Sequence, residues 1–567
     1  MKRHLALSVA LVGVLGAGLV GLPLRAADEA IDYDSLNKIK AQGLTAANSE
    51  VMEVSSWLTD VYGPRLTGSP NIKLAGDWAV ETMKKWGLTN VALEPWPADP
   101  NNANNGFTRG WSNDKFYLAA TAPQTFPIAG TPTAWTPGTN GLVSGEVVMV
   151  SETTEAEIKA KFPAGALRGK WVITSAAPDV AAYWNAPAER YTKEELDNME
   201  SPRRTNELGS TPPGGRGGGA GAGGPAGGRA GGAPGAAAGP PFNRNAFFKA
   251  EGVLGTFSTA PRGHGIYTIG GSRTTDPETS LPAVAIPAEQ YGRIARMLAK
   301  NQKVVIEADI KNTYTPNPPM FNVVGEIRGT DKADEIVMLG AHFDSWHAST
   351  GATDNAAGSA AMLEAMRILK KSGVPLRRTV RIGLWTGEEQ GLIGSRLYVQ
   401  QHFGGGRGGG GGRAGAAGGG GAGAATAPPT TTPDHAKFAG YFNIDNGTGA
   451  IRGIYLQQNQ AVAPIFRAWM EPFRSIGMTH INPGNTGGTD HQSFDATNLP
   501  GFQFIQDSVE YDTMTHHTNL DSYERLQPED MRRNATIAAA FAFLTANRDE
   551  KLPRKPATAP PAGRGGQ

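Results

Sequence analysis

The sequence predicts an α/β fold, with a mainly parallel sheet in a three-layer α/β/α arrangement and a separate β-rich unit inserted into it. Strand-like and helix-like patterns alternate after residue 322, and short β-rich segments dominate residues 126–310. The length of 567 residues also exceeds what one hydrophobic core usually serves. Ligands of parallel sheets bind at the carboxyl ends of the strands, so functional residues are expected directly after strands.

The second half of the chain carries the alternation. Strands are predicted at 322–327, 335–339, 378–385 and 438–444. Helices are predicted at 356–371, 391–401, 464–476 and 528–547, where apolar residues recur at helical spacing. Upstream, residues 49–86 show a helical pattern with breaks at the Gly-Pro and Gly-Ser-Pro sequences of 63–64 and 68–70.

The middle of the chain has a different character. Strands are predicted at 146–150, 170–174, 265–269 and 304–309, with a single helix at 287–300. Many short strands and few helices indicate a compact β-rich domain.

Two stretches and the C-terminal tail are of low complexity. Residues 212–241 and 404–433 consist almost entirely of Gly, Ala, Pro, Arg and Thr, and residues 550–567 are rich in Pro, Ala and Gly. Such sequences bury too little apolar surface to offset the entropy of ordering, so we expect disordered surface segments.

The N-terminus has the features of an export signal. Basic residues at positions 2–4 precede an apolar run from 5 to 22, and Ala26 offers a small residue for cleavage. Residues 1–26 are therefore predicted to be a signal peptide, and the mature protein is expected in the periplasm or outside the cell. The alternative is a retained membrane anchor, since the run is nearly long enough to span a bilayer.

Composition narrows the partners and the metal chemistry. The formal net charge is +1 and 19% of residues are charged, which argues against a nucleic-acid surface. The chain contains no cysteine, so it relies on no disulfide, and any bound metal must be held by His, Asp and Glu.

Five polar segments stand in order along the second half. They are GAHFDS at 340–345, GATDN at 351–355, TGEEQ at 386–390, NID at 443–445 and HHT at 516–518. Three of them follow predicted strands, and two adjacent carboxylates at a buried strand end are costly unless a cation compensates them. Alone, each has a simpler explanation, such as a helix N-cap for Asp354 or a solvated pair for Glu388 and Glu389. Together they supply the His, Asp and Glu side chains that suit a pair of zinc ions.

In sequence and in order, these segments resemble the metal-binding motifs of the co-catalytic dizinc aminopeptidases. That family of zinc exopeptidases includes bacterial leucyl aminopeptidases and plasma glutamate carboxypeptidase (carboxypeptidase Q). The similarity is strongest over residues 322–547 and extends weakly to VYGPRLTGSP at 61–70. The segments LRGKWVI at 167–173 and LPAVAI at 281–286 are similar to the protease-associated domain that several members carry as an insertion.

The resemblance implies a role for each residue. One zinc would be held by His342 and Asp445 and the other by Glu389 and His517, with Asp354 bridging both. His517 is preferred to His516 because the family's ligand is followed directly by Thr or Ser.

The same resemblance makes Glu388 the general base, with Asp344 orienting His342. It also implies a cis peptide between Asp354 and Asn355. The segment GGTDH at 487–491 matches the family near its substrate pocket, without an assigned catalytic role.

The expected organisation follows the resemblance. A signal peptide at 1–26 precedes the first part of the peptidase domain at 27–125, the protease-associated-like insertion at 126–310, the rest of the peptidase domain at 311–549 and a tail at 550–567. Peptides are the expected partners, a homodimer is compatible with relatives carrying this insertion, and neither nucleic acid nor a membrane is expected after signal removal.

Two other functions stay open. A glutaminyl-cyclase-like acyl transferase shares the fold and similar motifs but works with one zinc, and a non-catalytic surface protein could be built on a peptidase fold. The complete set of ligand residues favours the peptidase. Aminopeptidase, dipeptidase and carboxypeptidase specificities depend on pocket residues that one sequence does not reveal, although the motifs favour short peptides with a free N-terminus.

Overall fold

The computed structural model describes residues 29–99, 102–200, 242–405 and 431–556, and these residues form two eight-stranded sheets. The strands are β1 Thr89–Pro95, β2 Arg109–Ala122, β3 Phe126–Pro127, β4 Thr131–Pro132, β5 Val143–Met149, β6 Trp171–Ile173, β7 Gly255–Ser258, β8 Ala283–Ala285, β9 Val305–Pro316, β10 Phe321–Ile327, β11 Lys332–His342, β12 Arg378–Trp385, β13 Phe438–Asn443, β14 Ile451–Tyr455, β15 His480–Asn482 and β16 Gly501–Gln506.

The α-helices of the described residues lie mainly around the first sheet. They are α1 Tyr33–Gly43, α2 Val51–Ser56, α3 Pro70–Lys85, α4 Glu155–Lys161, α5 Lys193–Glu200, α6 Arg244–Ala250, α7 Ala288–Leu298, α8 Ala357–Ser372, α9 Ile393–Phe403, α10 Pro433–Lys437, α11 Ala463–Met470, α12 His491–Asp495 and α13 Pro528–Asn547. Local sequence sets several ends. Ser69 caps α3 and is followed by a proline in the first turn, and Gly373 ends α8 in the left-handed conformation.

The first sheet has the order β1-β10-β12-β11-β13-β16-β14-β15. Its central strands β12, β11, β13 and β16 run parallel, and antiparallel pairs flank them. Successive residues of β11 enter opposite cores: Val337 and Leu339 pack with α8 and α13, whereas Met338 packs with α9 and α12. The sheet is therefore covered by helices on both faces, as the sequence predicts.

The second sheet has the order β3-β2-β9-β5-β6-β7-β8-β4 and its own apolar core, to which α7 contributes Tyr291 and Ile294. We refer to residues 109–316 as the β unit. It begins with β2, before the expected start of the insertion at residue 126.

The four strands predicted in the second half of the chain are confirmed as β10, β11, β12 and β13 of the first sheet. One prediction in the β unit is wrong. Residues 265–269 were predicted to be a strand, but they belong to neither sheet, and Thr268 forms only an isolated bridge to Thr518. Their main-chain groups bond instead to a loop of the other half of the molecule. The predicted signal peptide, residues 212–241 and most of 404–433 and 557–567 lie outside the described residues. Within the described ranges, no helix is both long and apolar enough to cross a membrane.

Candidate metal centre

The strand ends of the first sheet bring the predicted residues together. In the parallel register, His342 at the end of β11 pairs with Trp385 at the end of β12, and Gly340 pairs with Asn443 of β13. Glu388 and Glu389 follow β12 and Asp445 follows β13, so their side chains reach the same edge as His342.

Asp354 lies at the centre of the cluster. Its Oδ1 atom is 3.1 Å from Nε2 of His342, and its Oδ2 atom is 3.2 Å from Nε2 of His517. On one side, His342 Nε2 is also 3.2 Å from Asp445 Oδ1; on the other, His517 Nε2 is 2.9 Å from Glu389 Oε2. The carboxylate of Asp354 thus joins two half-sites, each containing one histidine and one further carboxylate.

Asp354 is held in place by its neighbours in the chain and by a buried aspartate. The Asp354-Asn355 peptide is cis, as the family resemblance implies. The main-chain N–H groups of Thr353 and Asp354 donate to the carboxylate of Asp521, at 2.6 and 3.1 Å. Asn355 donates to the carbonyl of Ile444, which precedes Asp445, so the two segments are tied together.

Asp344 acts on the turn after β12 more directly than on His342. The Nδ1 atom of His342 is 3.0 Å from the carbonyl oxygen of Asp344 and 3.7 Å from its carboxylate. The carboxylate accepts hydrogen bonds from the hydroxyl of Thr67 at 2.7 Å and from the N–H groups of Glu388 and Glu389 at 3.2 and 3.3 Å. Asp344 therefore positions the two glutamates, and its main chain orients His342.

Arg65 supports the site through hydrogen bonds to the main chain of neighbouring loops. No role for this residue was predicted from the sequence. It is fully buried and donates to four main-chain carbonyls, those of Leu58, Phe343, Thr350 and Gly351. Burial lowers the pKa of Arg65 to about 10, against nearby carboxylates that raise it. The one signal for Arg65 in the sequence is its place in VYGPRLTGSP, the segment of weak family resemblance, which does not distinguish a buried arginine from a surface one.

The loop carrying His516 and His517 is held by the β unit. Ile269 N donates to the carbonyl of His517 at 3.0 Å, and Asn519 exchanges main-chain and side-chain hydrogen bonds with Tyr267. His517 has a φ of 56°, a left-handed conformation uncommon outside glycine. Of the two histidines, His516 lies farther from Asp354, at 3.8 Å, against 3.2 Å for His517.

The electrostatics show a cluster with more negative charge than its own cations balance. Burial raises the pKa of Glu388 well above its ordinary value and that of Glu389 to about 7, although His342 and His517 oppose these shifts. Burial lowers the pKa of His517, but Glu389 and Asp354 outweigh it and raise the pKa to about 10. The pKa of His516 falls to about 3 through burial and the neighbouring charge of His517.

Two further buried carboxyl groups lie close enough to the cluster for its aspartates to raise their pKa values. Burial raises the pKa of both Asp490 and Asp521 to about 7. Asp521 anchors Asp354, as described above, and Asp490 stands in the GGTDH segment that the resemblance placed near the substrate pocket. No period or spacing in the sequence marks either residue as buried.

The donor set fits metal ions. His342, Asp354 and Glu389 bring ligand atoms within 4.8 Å of one another, as do Asp354, His516 and His517. Among the described residues, the buried Oε1 atom of Glu389 has no hydrogen-bond partner. Imidazole nitrogens and carboxylate oxygens of this kind are zinc ligands, and buried carboxylates need a cation to balance them.

Similarity to known proteins agrees with this geometry. The profile of Peptidase family M28 matches residues 322–408 and 417–542. Carboxypeptidase Q of Mus musculus is 26% identical over 279 residues, which cover 49% of this chain and 53% of that protein. Carboxypeptidase Q of Pongo abelii is 23% identical over 516 residues, covering 90% and 88% of the two chains. The first match thus spans about half the length of that relative, and the second spans most of it.

A solved structure shows the same fold over nearly the whole chain. The peptidase M28 precursor from Shewanella amazonensis matches with a TM-score of 0.59 and 24% identity, covering 93% of this chain and 100% of that one. The fold similarity thus includes the β unit as well as the first sheet.

Proposed function

Because residues 322–408 and 417–542 match the profile of peptidase family M28, we propose that this protein is a zinc-dependent exopeptidase with two zinc ions. Its substrates would be short peptides, cleaved next to a terminus. The observation that carries the proposal is the position of Asp354, whose two carboxylate oxygens each face a different histidine. Such sharing suits a pair of ions and is not needed for one.

Each proposed ion has its own ligands. His342 and Asp445 would hold one zinc, Glu389 and His517 would hold the other, and Asp354 would contact both. Bound zinc supplies Lewis-acid chemistry, lowering the pKa of water and polarising a carbonyl group.

Glu388 is proposed as the general base. The main-chain N–H of Glu388 donates to the carboxylate of Asp344 at 3.2 Å, which fixes the start of this turn. Burial raises the pKa of Glu388 well above the ordinary range, against the attraction of His342, so the group is suited to accept a proton. Glu388 would take the proton of the attacking water and pass it to the leaving amine.

Export and domain organisation complete the proposal. The N-terminal signal pattern supports a periplasmic or extracellular protein. The β unit would correspond to the protease-associated insertion.

The test is hydrolysis of unblocked dipeptides and aminoacyl-p-nitroanilides by the protein, with chelator and with zinc restored. Cleavage that chelator abolishes and zinc restores supports the proposal, and the preferred substrate separates dipeptidase from aminopeptidase. Two bound zinc ions without any cleavage would contradict it.

A variant of Glu388 tests its proposed role as the general base. Glu388→Gln should keep both zinc ions and lower kcat by about 100- to 10,000-fold, because general-base catalysis contributes on that order. Asp490→Asn is the comparison, since it changes another buried carboxyl group in the same field. Turnover retained in Glu388→Gln but lost in Asp490→Asn would transfer the role to Asp490.

A further inference from the structure

The β unit contributes a short segment, residues 269–273, that is hydrogen-bonded to two of the segments that form the metal centre. At one end, Ile269 N donates to the carbonyl of His517 at 3.0 Å. At the other end, Arg273 Nη1 donates to the carbonyl of Gln390 at 3.2 Å. His517 is a proposed zinc ligand and Gln390 directly follows Glu389, so both hydrogen bonds end on segments that carry proposed site residues.

The surroundings of Arg273 leave polar atoms without partners. Its guanidinium lies 5.1 Å from the ring centroid of Phe107, within the range of a cation–π contact. Within the described part of the chain, the buried Nε atom of Arg273 and both amide atoms of the Gln390 side chain make no hydrogen bond. Arg273 and Gln390 therefore offer hydrogen-bond donors beside the turn after β12 that carries Glu388 and Glu389. We call this turn the catalytic turn, because Glu388 is the proposed base.

Among the described residues, Arg273 has no ion-pair partner. The charged side chain that acts on it is another cation, Arg396. Burial, and then the like charge of Arg396, lower the pKa of Arg273. Two other arginines with little exposed side chain do form ion pairs, Arg367 with Glu364 and Arg381 with Glu326.

A purely structural role explains only part of this arrangement. The bond to Gln390 and the contact with Phe107 would fasten the β unit to the turn after β12. A neutral side chain could provide that fastening without the cost of burying a charge. A partly buried cation with spare donors, next to a catalytic turn, is suited to an anion supplied by the substrate.

We propose that Arg273, together with the side-chain amide of Gln390, binds a carboxylate of the peptide substrate. This inference rests on the proposed peptidase function and adds the substrate class to it: short peptides with a carboxylate close to the bond that is cleaved. That carboxylate is either the free C-terminus of the peptide or an acidic side chain, and both present the same chemistry to Arg273.

The experiment compares matched substrates in wild type and variants. A dipeptide is compared with its C-terminal amide, and a glutamyl p-nitroanilide with a leucyl p-nitroanilide. The variants are Arg273→Gln, Arg273→Lys and the control Arg293→Gln. Arg293 is another arginine of the β unit; it lies 3.8 Å from the ring centroid of Phe126 and donates to Gln124. Zinc content and the midpoint of thermal unfolding are measured for each protein.

Wild type should favour the substrate with the carboxylate, in one pair or both, by about 10- to 150-fold in kcat/KM, as expected for charge-assisted hydrogen bonds. The preference should approach one in Arg273→Gln, persist in part in Arg273→Lys and remain in Arg293→Gln. A preference in the dipeptide pair identifies the C-terminus as the source, and one in the p-nitroanilide pair identifies the side chain.

Two results would overturn the inference while leaving the peptidase function intact: no preference in wild type, or the same preference in Arg273→Gln with normal zinc content. Absence of zinc-dependent cleavage of every substrate would overturn the proposed function, and the inference with it.

Discussion

Asn519 offers a direct test of whether the β unit holds the proposed zinc ligand His517 in place. The Oδ1 atom of Asn519 accepts from Tyr267 N at 2.9 Å, and its Nδ2 atom donates to the carbonyl of Gly265 at 3.2 Å. Both bonds join the β unit to the loop that carries His517, whose backbone is in the left-handed region. Asn519→Ala removes both bonds and leaves the buried Tyr267 with an unpaired N–H.

The magnitude follows from those two bonds. A hydrogen bond contributes about 0.5–1.5 kcal/mol, so their loss weakens the attachment of the loop by about 1–3 kcal/mol. If this energy positions His517, zinc affinity at that half-site should fall by about 5- to 150-fold. The half-site of His342 and Asp445 should be affected less, because the β unit does not contact those two residues through Asn519.

The assay is zinc competition with a calibrated chelator, which resolves the two affinities, together with thermal unfolding. Asn547→Ala is the matched control: its Oδ1 atom also accepts a main-chain N–H, from Arg377 at 3.1 Å, and its Nδ2 atom donates to the carbonyl of Pro375 at 3.0 Å. The control should lose comparable stability and no zinc affinity. Unchanged zinc affinity in Asn519→Ala would refute the reasoning, and Asn519→Asp, which keeps the acceptor for Tyr267, should restore part of the loss.

Two further predictions concern the support and the titration of the site. Arg65→Met should lower the free energy of unfolding by at least about 3 kcal/mol, measured by urea denaturation, because four buried carbonyls lose their donor. A surface arginine such as Arg474 should change it little on replacement by Met. Zinc affinity should fall as pH is lowered, and more steeply below about pH 7, where a proton on Glu389 (pKa about 7) as well as one on His517 (pKa about 10) must be displaced. Calorimetry in buffers of different ionisation enthalpy counts the protons released, and a count independent of pH would contradict this.

Much of the first sheet could be predicted because each of its strands and helices has a recognisable pattern in its own stretch of sequence. Strands such as 378–385 are short apolar runs between polar segments, and 528–547 is a long helical pattern that begins with proline. The order of the strands could not be read in the same way. Strand β16 lies beside β13 although β14 and β15 intervene in the chain, since pairing depends on the packing of whole elements.

The segment 265–269 shows why one prediction was wrong. Its apolar residues have the pattern of a strand, and its backbone does form hydrogen bonds, but with residues 517–519 instead of a sheet. A pattern of side chains reports which residues are buried and carries no information about which partner satisfies the main chain.

The sequence by itself determined the α/β class, the order of the metal-binding motifs and the residue types available as ligands, because each of these is a property of neighbouring residues. Only the tertiary structure decided that Asp354 faces two histidines, that Arg65 and Asp521 brace the site, and that Arg273 donates to the turn after β12. These relations join segments far apart in the chain. Their energies depend on burial and on the sum of nearby charges, which are defined only once the chain has folded.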